Sequence, residues 1–363
     1  MQAYTAAWEP MTNQWLRVGS VADDFLRSRI NERELRLSER ECIKVCPFDW
    51  GVEALTDLPG FVPDHGASQL EALRQANQWW LRNRATFFAY QAPTEFRLCE
   101  GHLQFLSAVK SLYRENDVVH ADYFRCRQAE GAVLVLPHWN AQPAGYFGFC
   151  RFLNYLGFSA LLLTLPYHGN RKPQECIGAE YSVSPNIGRT IACARQGVID
   201  TLCCLDWLTS QGYERVAIVG SSLGFGHAFV ASALDQRLRV NVFTHCCSTV
   251  SDALWAGMPQ FRTVLERYIS QGELRESWSV INPISYADSF GRLPKRSLLL
   301  LGRYDTTFAR DYVEEALRPF RAMGLDHHVV ELPCGHRTIG DAPYLALSGY
   351  FIGRFLKKTL RRS

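Results

Sequence analysis

The 363-residue sequence has almost no excess charge: 39 Lys and Arg stand against 36 Asp and Glu, leaving +3 with His neutral. Its basic residues are spread along the chain, whereas nucleic-acid binding needs them gathered on one face or stripe. No nucleic-acid partner is therefore expected. Long apolar runs are also missing. The longest, around residues 158–165, is far short of the roughly 20 residues that span a bilayer, so no integral membrane segment is expected. Residues 1–13 lack the charged, apolar and small-residue pattern of a secretory leader. No spacing of Cys, His, Asp and Glu fits a zinc site. No GxxxxGK[ST] occurs, and Gly224-Phe225-Gly226 lacks the rest of a dinucleotide fingerprint. Neither a metal nor a nucleotide cofactor is implied. Internal repeats and low-complexity tracts are absent as well.

What is present is the composition of an ordinary globular chain, 47% hydrophobic and 21% charged. The twelve cysteines lie partly inside apolar runs or side by side, as with Cys203 and Cys204 or Cys246 and Cys247. That suits small buried hydrophobes in a reducing compartment, and a cytoplasmic location is expected. The sequence is silent on oligomeric state.

From about Asp117 onward, short β-rich runs alternate with longer helix-period segments, the pattern of a mostly parallel sheet with helices on both faces. Strands are expected over 118–125, 132–136, 160–165, 216–219, 240–244, 298–301 and 328–332. Most are continuous apolar runs, as strands covered on both faces should be. Phe149, Phe152, Leu153 and Leu156 mark one helix with Gly157 as its stop. Ile191, Val198, Leu202 and Leu205 mark another that ends near Gly212, and a third runs from just after Ser222 to about Leu234. Two regions depart from the alternation. Residues 1–115 read as an N-terminal, largely helical extension, with a helix expected over 68–88 from Leu70, Leu73, Trp80 and Leu81. It precedes a catalytic body at 116–363. The stretch 248–293 carries Trp255, Met258, Phe261, Leu265, Tyr268 and Trp278, too apolar for an open loop, and is read as a helical lid over the sheet's carboxyl edge. The basic tail Lys357, Lys358, Arg361 and Arg362 reads as the solvated end of a last helix.

The chemistry concentrates at Gly220-Ser221-Ser222-Leu223-Gly224, where a β-rich run passes directly into a helix-period stretch. A serine at such a strand-to-helix turn needs small residues two positions to either side, because side chains there would collide. The helix N-terminus behind it favours negative charge on a reacting oxygen. A serine hydroxyl is a poor nucleophile at neutral pH, so a base must take its proton and a third group must orient that base. Asp305 follows the 298–301 strand in Gly302-Arg303-Tyr304-Asp305, and His336 follows the next strand in Pro333-Cys334-Gly335-His336. Side chains just past the carboxyl ends of parallel strands collect along one edge. Ser222, His336 and Asp305 are thus the candidate nucleophile, base and acid. Ser221 is the rival nucleophile, Asp252 the substitute acid and Asp341 a less attractive one.

An oxyanion would be bound by the Leu223 amide and by a second amide from Pro137-His138-Trp139-Asn140-Ala141, the loop after the 132–136 strand. Whether Trp139 or Asn140 supplies it stays open. His138, His168 and Trp255 are the candidate substrate-pocket residues. His227 is read as structural, and His245, beside Cys246 and Cys247, as a strand end.

The ordered set GSSLG, GRYD and CGH, preceded by the LPHWN loop, resembles the α/β-hydrolase superfamily from about Val118 to the C-terminus, with Trp139 standing where many esterases have glycine. The segment Leu165-Pro-Tyr-His-Gly169-Asn-Arg171 also resembles a loop that lies near the active site in several branches. The resemblance implies an eight-stranded, mostly parallel sheet with a lid after the sixth strand. It further implies a serine hydrolase, most simply one that cleaves a small carboxylic ester, and the aromatic composition of the lid suggests an apolar acyl or alcohol part. Peptidase, thioesterase or acyltransferase chemistry would use the same three residues, and a noncatalytic ligand-binding protein of the same fold is the alternative from another class.

Overall fold

The structure is a computed structural model that describes residues 20–40, 44–61 and 68–360. Residues 1–13, and Arg361 and Arg362 of the basic tail, lie outside them. Nine strands form one sheet in the order β1-β2-β3-β5-β4-β6-β7-β8-β9. They are β1 (Arg97–Cys99), β2 (His102–Leu106), β3 (Val118–Phe124), β4 (Ala132–Leu136), β5 (Ser159–Leu163), β6 (Val216–Ser221), β7 (Leu238–Thr244), β8 (Arg296–Gly302) and β9 (Asp326–Leu332). From β5 across to β9 every pairing is parallel, while β1, β2, β3 and β5 pair antiparallel. All seven expected strands are present.

The helices used below are α1 (Ser20–Arg40), α2 (Gln69–Arg82), α3 (Phe147–Tyr155), α4 (Ile187–Ser210), α5 (Leu223–Leu234), α6 (Val250–Gly257), α7 (Pro259–Leu265), α8 (Gln271–Ser277), α9 (Arg310–Ala322) and α10 (Tyr344–Thr359). Strand side chains alternate between faces, and the two faces have separate cores. Val133, Val135, Val219, Leu298 and Leu300 pack with Leu153 of α3 and Ile352 and Phe355 of α10. Leu134, Ile218, Phe243 and Leu299 pack with Ile191 of α4, Phe225 of α5 and Phe320 of α9. Every residue of β4 and β5 is buried, which is why both are apolar apart from Ser159 at the start of β5.

Two expectations need correction. The sheet has nine strands rather than eight, and its first two lie in the stretch read as a largely helical extension. The expected boundary at 116 falls between two hydrogen-bonded strands, since His102 to Leu106 pair with Asp122 back to Val118. β1 is exposed throughout and β2 alternates, so neither offers the apolar run that marks a doubly covered strand. The other described parts of the extension share the body's core: Leu55, Leu73, Trp80, Phe87 and Phe88 belong to the same cluster as α4 and α5. Asn77 of α2 donates to Ser277 O (2.7 Å) and accepts from Val280 N (2.9 Å), so α2 is docked on the 248–293 segment. The helix expected over 68–88 breaks at Asn83 into α2 and a short turn.

Candidate active site

β6 ends at Ser221 and α5 begins at Leu223, leaving Ser222 at the corner with φ 52° and ψ −113°. A left-handed φ on a non-glycine residue costs of order 1–3 kcal/mol and persists only where the surroundings impose it. Here they do. The Ser222 amide donates to Thr244 O at the end of β7 (2.9 Å) and its carbonyl accepts from Phe225 N (2.9 Å). The flanking glycines are required by close approach: a Cβ on Gly220 would lie 2.5 Å from Gly224 O, and one on Gly224 2.3 Å from Leu136 O.

The structure brings the three distant residues into one hydrogen-bonded row. Ser222 Oγ stands 3.0 Å from His336 Nε2, and His336 Nδ1 donates to Asp305 Oδ2 at 2.8 Å. The Asp305 side chain is only 5% exposed. Burial opposes its ionisation, but the His336 and His245 rings outweigh that and hold its carboxyl well below the usual carboxylate range. A carboxylate only accepts, so the bonded Nδ1 carries the proton and Nε2 faces the serine as an acceptor. The substitutes are occupied elsewhere. Asp252 accepts from Thr249, Gln271 and Arg275, and Asp341 from Arg33.

Around the row lies a cavity of about 690 Å³, within the range of small-molecule sites. Val183, Phe225, Val250, Leu254 and Met258 line it, as do Tyr146, Phe149, Ile339 and Ile352, so most of its wall is apolar. His138 and Trp139 also line it, the Trp139 ring meeting Phe261 edge-on at 6.1 Å. Trp255, expected in the pocket, is not among the lining residues; it is half-buried and packs on the core. The helical period explains this. Val250, Ala253 and Leu254 share one face of α6, and Trp255 is turned about 100° from Leu254.

His168 is not a pocket residue either. It is buried behind the loop, where its Nδ1 donates to Pro166 O (2.9 Å) and its Nε2 accepts the Asn140 amide (2.9 Å). Burial pushes its pKa down to about 4, so the ring is neutral near pH 7 and both nitrogens have fixed roles. The Asn140 amide is therefore engaged with His168. The Leu223 amide is in the first turn of α5, where no intrahelical carbonyl can reach it. His138 is exposed at the cavity, with Nδ1 2.7 Å from the Tyr146 hydroxyl.

Sequence reasoning missed two groups that touch this site. Glu34 of α1 is buried and accepts from the amides of Arg337 (2.9 Å) and Thr338 (2.7 Å), the residues after His336. In the same helix Asp23 accepts from Tyr304 and Arg303, just before Asp305, and Leu37 reaches the cavity wall. No motif or spacing signals this helix. The other is His245, whose Nδ1 lies 3.0 Å from Asp305 Oδ2. Its place immediately past a parallel strand was the signal available.

No family profile and no curated protein matches the sequence. Solved structures do match. An esterase from Pyrococcus furiosus overlays with a TM-score of 0.51 at 15% identity, over 76% of this chain and 93% of that one. An acetyl xylan esterase from Paenibacillus sp. R4 gives 0.52 at 15% identity, over 81% and 96%. Acetyl xylan esterase 1 from Thermoanaerobacterium sp. JW/SL YS485 gives 0.52 at 16% identity, over 85% and 99%. This chain has the α/β-hydrolase fold, as its ordered motifs implied. Among the described residues no helix is long and apolar enough to cross a membrane.

Proposed function

We propose that this protein is a serine hydrolase that cleaves small-molecule carboxylic esters with an apolar acyl or alcohol part. One observation carries the reading: the Ser222–His336–Asp305 row, with the serine at a strained corner facing an apolar cavity. In the reaction His336 Nε2 takes the Ser222 proton as Oγ attacks the acyl carbonyl. Asp305 supports the imidazolium, and the Leu223 and Trp139 amides bind the oxyanion. His336 then passes its proton to the departing alcohol. Water, deprotonated by the same ring, releases the acid from the acyl-serine. The 248–293 segment acts as a lid, since Val250, Ala253, Leu254 and Met258 wall the cavity. The structural neighbours named above are all esterases, which supports this reading. The described cysteines are all free, which supports a reducing compartment such as the cytoplasm.

Each CH₂ buried is worth about 0.8 kcal/mol. Across p-nitrophenyl acetate, butyrate and octanoate, kcat/KM is therefore expected to rise with chain length, about fourfold or less per carbon. A preference for acetate, or equal turnover of the three, would reject an apolar acyl part; no turnover of any would reject the esterase reading.

A further inference from the structure

Asp305 has no acceptor capacity left. Its Oδ1 takes the amides of Thr307 and Phe308, both at 2.8 Å. Its Oδ2 takes two imidazoles, His336 Nδ1 at 2.8 Å and His245 Nδ1 at 3.0 Å. A carboxylate offers about four lone-pair directions, and all four are used. The base-orienting oxygen is thus divided between the ring that faces Ser222 and a second ring that does not.

His245 is built in rather than incidental. It follows directly on Thr244, whose carbonyl accepts the Ser222 amide, and its own amide donates to Leu300 O at 3.0 Å. Its φ is 56°, a strained value for a histidine of the kind that collects at functional sites. The residue is 2% exposed, and its ring centroid lies 4.3 Å from that of His336. Both Nδ1 atoms must carry hydrogen to bond a carboxylate. His245 Nε2, buried and without a hydrogen-bond partner, is then a bare acceptor, a cheaper orphan than an N–H. Burial, with the neighbouring His336 ring, pushes the His245 pKa down, so this ring is a neutral donor and not a second cation.

We propose that His245 is a positioning residue for the reaction assigned above: by donating to Asp305 Oδ2 it competes with His336 for the same oxygen and sets how tightly His336 holds the proton taken from Ser222. The inference rests on that functional reading. The other titratable or charged groups near the pair are Glu34 on α1, Arg337 beside His336, and the Cys247 and Cys334 thiols. Oδ2 itself accepts from the two imidazoles. With His245 gone, Oδ2 belongs to His336 alone, and the imidazolium of His336 gains what the second donor withdrew.

The test is a ¹H–¹³C NMR titration of the His336 ring in the full chain, its resonance assigned by its loss in His336→Gln. In His245→Leu the midpoint is expected to move up by roughly half to one pH unit. His245→Asn places an amide nitrogen at the same bond count as Nδ1 and tolerates a left-handed φ, so its midpoint should return toward wild type. An unmoved or lowered midpoint in His245→Leu, or identical behaviour of the two variants, would overturn the inference. If either variant is unfolded by circular dichroism, His245→Gln and His245→Ala form the same donor and no-donor pair. Rates of fluorophosphonate labelling, measured in parallel, separate the two proposals. A shifted midpoint in a chain that never labels sinks the esterase reading and leaves the shared-oxygen inference standing, whereas labelling with an unmoved midpoint does the reverse.

Discussion

The Ser222 corner and the His336 loop face the same cavity but are held there by different means. The corner is fixed by backbone close to it: two glycines with no room for a Cβ, the Thr244 carbonyl, and the first turn of α5. The histidine loop is fixed by a side chain from the other end of the chain, with Glu34 of α1 taking the Arg337 and Thr338 amides. Geometry set by a continuous turn leaves a sequence pattern, whereas geometry set by a remote carboxylate leaves none. The acid loop combines both. The Thr307 and Phe308 amides fix Asp305 locally, and Asp23 of α1 ties down the two residues before it.

Perturbing each support in turn should separate them. The largest effect is expected for Gly224→Ala, whose Cβ would press on the Leu136 and Pro137 carbonyls. Because backbone must move, the loss is about 3 kcal/mol of unfolding free energy in urea; a loss under about 0.5 kcal/mol would mean the corner is not closely packed. Next is Glu34→Ala, which orphans two amides beside His336. The expected cost is about 2 kcal/mol of stability and a tenfold to hundredfold fall in kcat for ester cleavage from a misplaced base. If kcat is unchanged, α1 has no part in holding the histidine loop. The smallest effect near neutral pH belongs to His168, whose pKa is lowered by burial to about 4 against about 6.5 when unfolded. Above pH 6.5 both states are neutral and its full contribution is present. Below it the unfolded chain binds the extra proton, so stability falls by about 1.4 kcal/mol per pH unit toward pH 4. His168→Gln keeps an acceptor for the Asn140 amide without titrating, and its stability curve should be flatter by that slope; a slope equal to wild type would contradict the assignment.

The same division explains what could be read in the sequence. β4 to β8 were legible because strands covered on both faces are largely apolar, and the edge strand β9 because of its shorter Val329-Val330 run. Ser222, Asp305 and His336 were legible because each directly follows such a strand. β1 and β2 were not, since a solvated antiparallel edge needs no apolar run. Helix α1 was hidden because it is charged nearly all round, with ion pairs such as Asp23 to Arg27 along its surface. Its buried side includes Ile30 and Glu34, one of them a carboxylate whose partners lie some 300 residues away. Trp255 and His168 were assigned to the pocket from residue type and loop position, neither of which fixes the direction of a side chain. His245 was passed over because a histidine at a strand end has an ordinary structural explanation until its partner is seen.

The most direct test is to treat the full chain with a fluorophosphonate at neutral pH and locate the adduct by mass spectrometry of the digest. The account predicts a phosphonylated Ser222, no other modified serine, and a labelling rate that collapses in His336→Gln. An unmodified chain, or an adduct on Ser221 in place of Ser222, would contradict it.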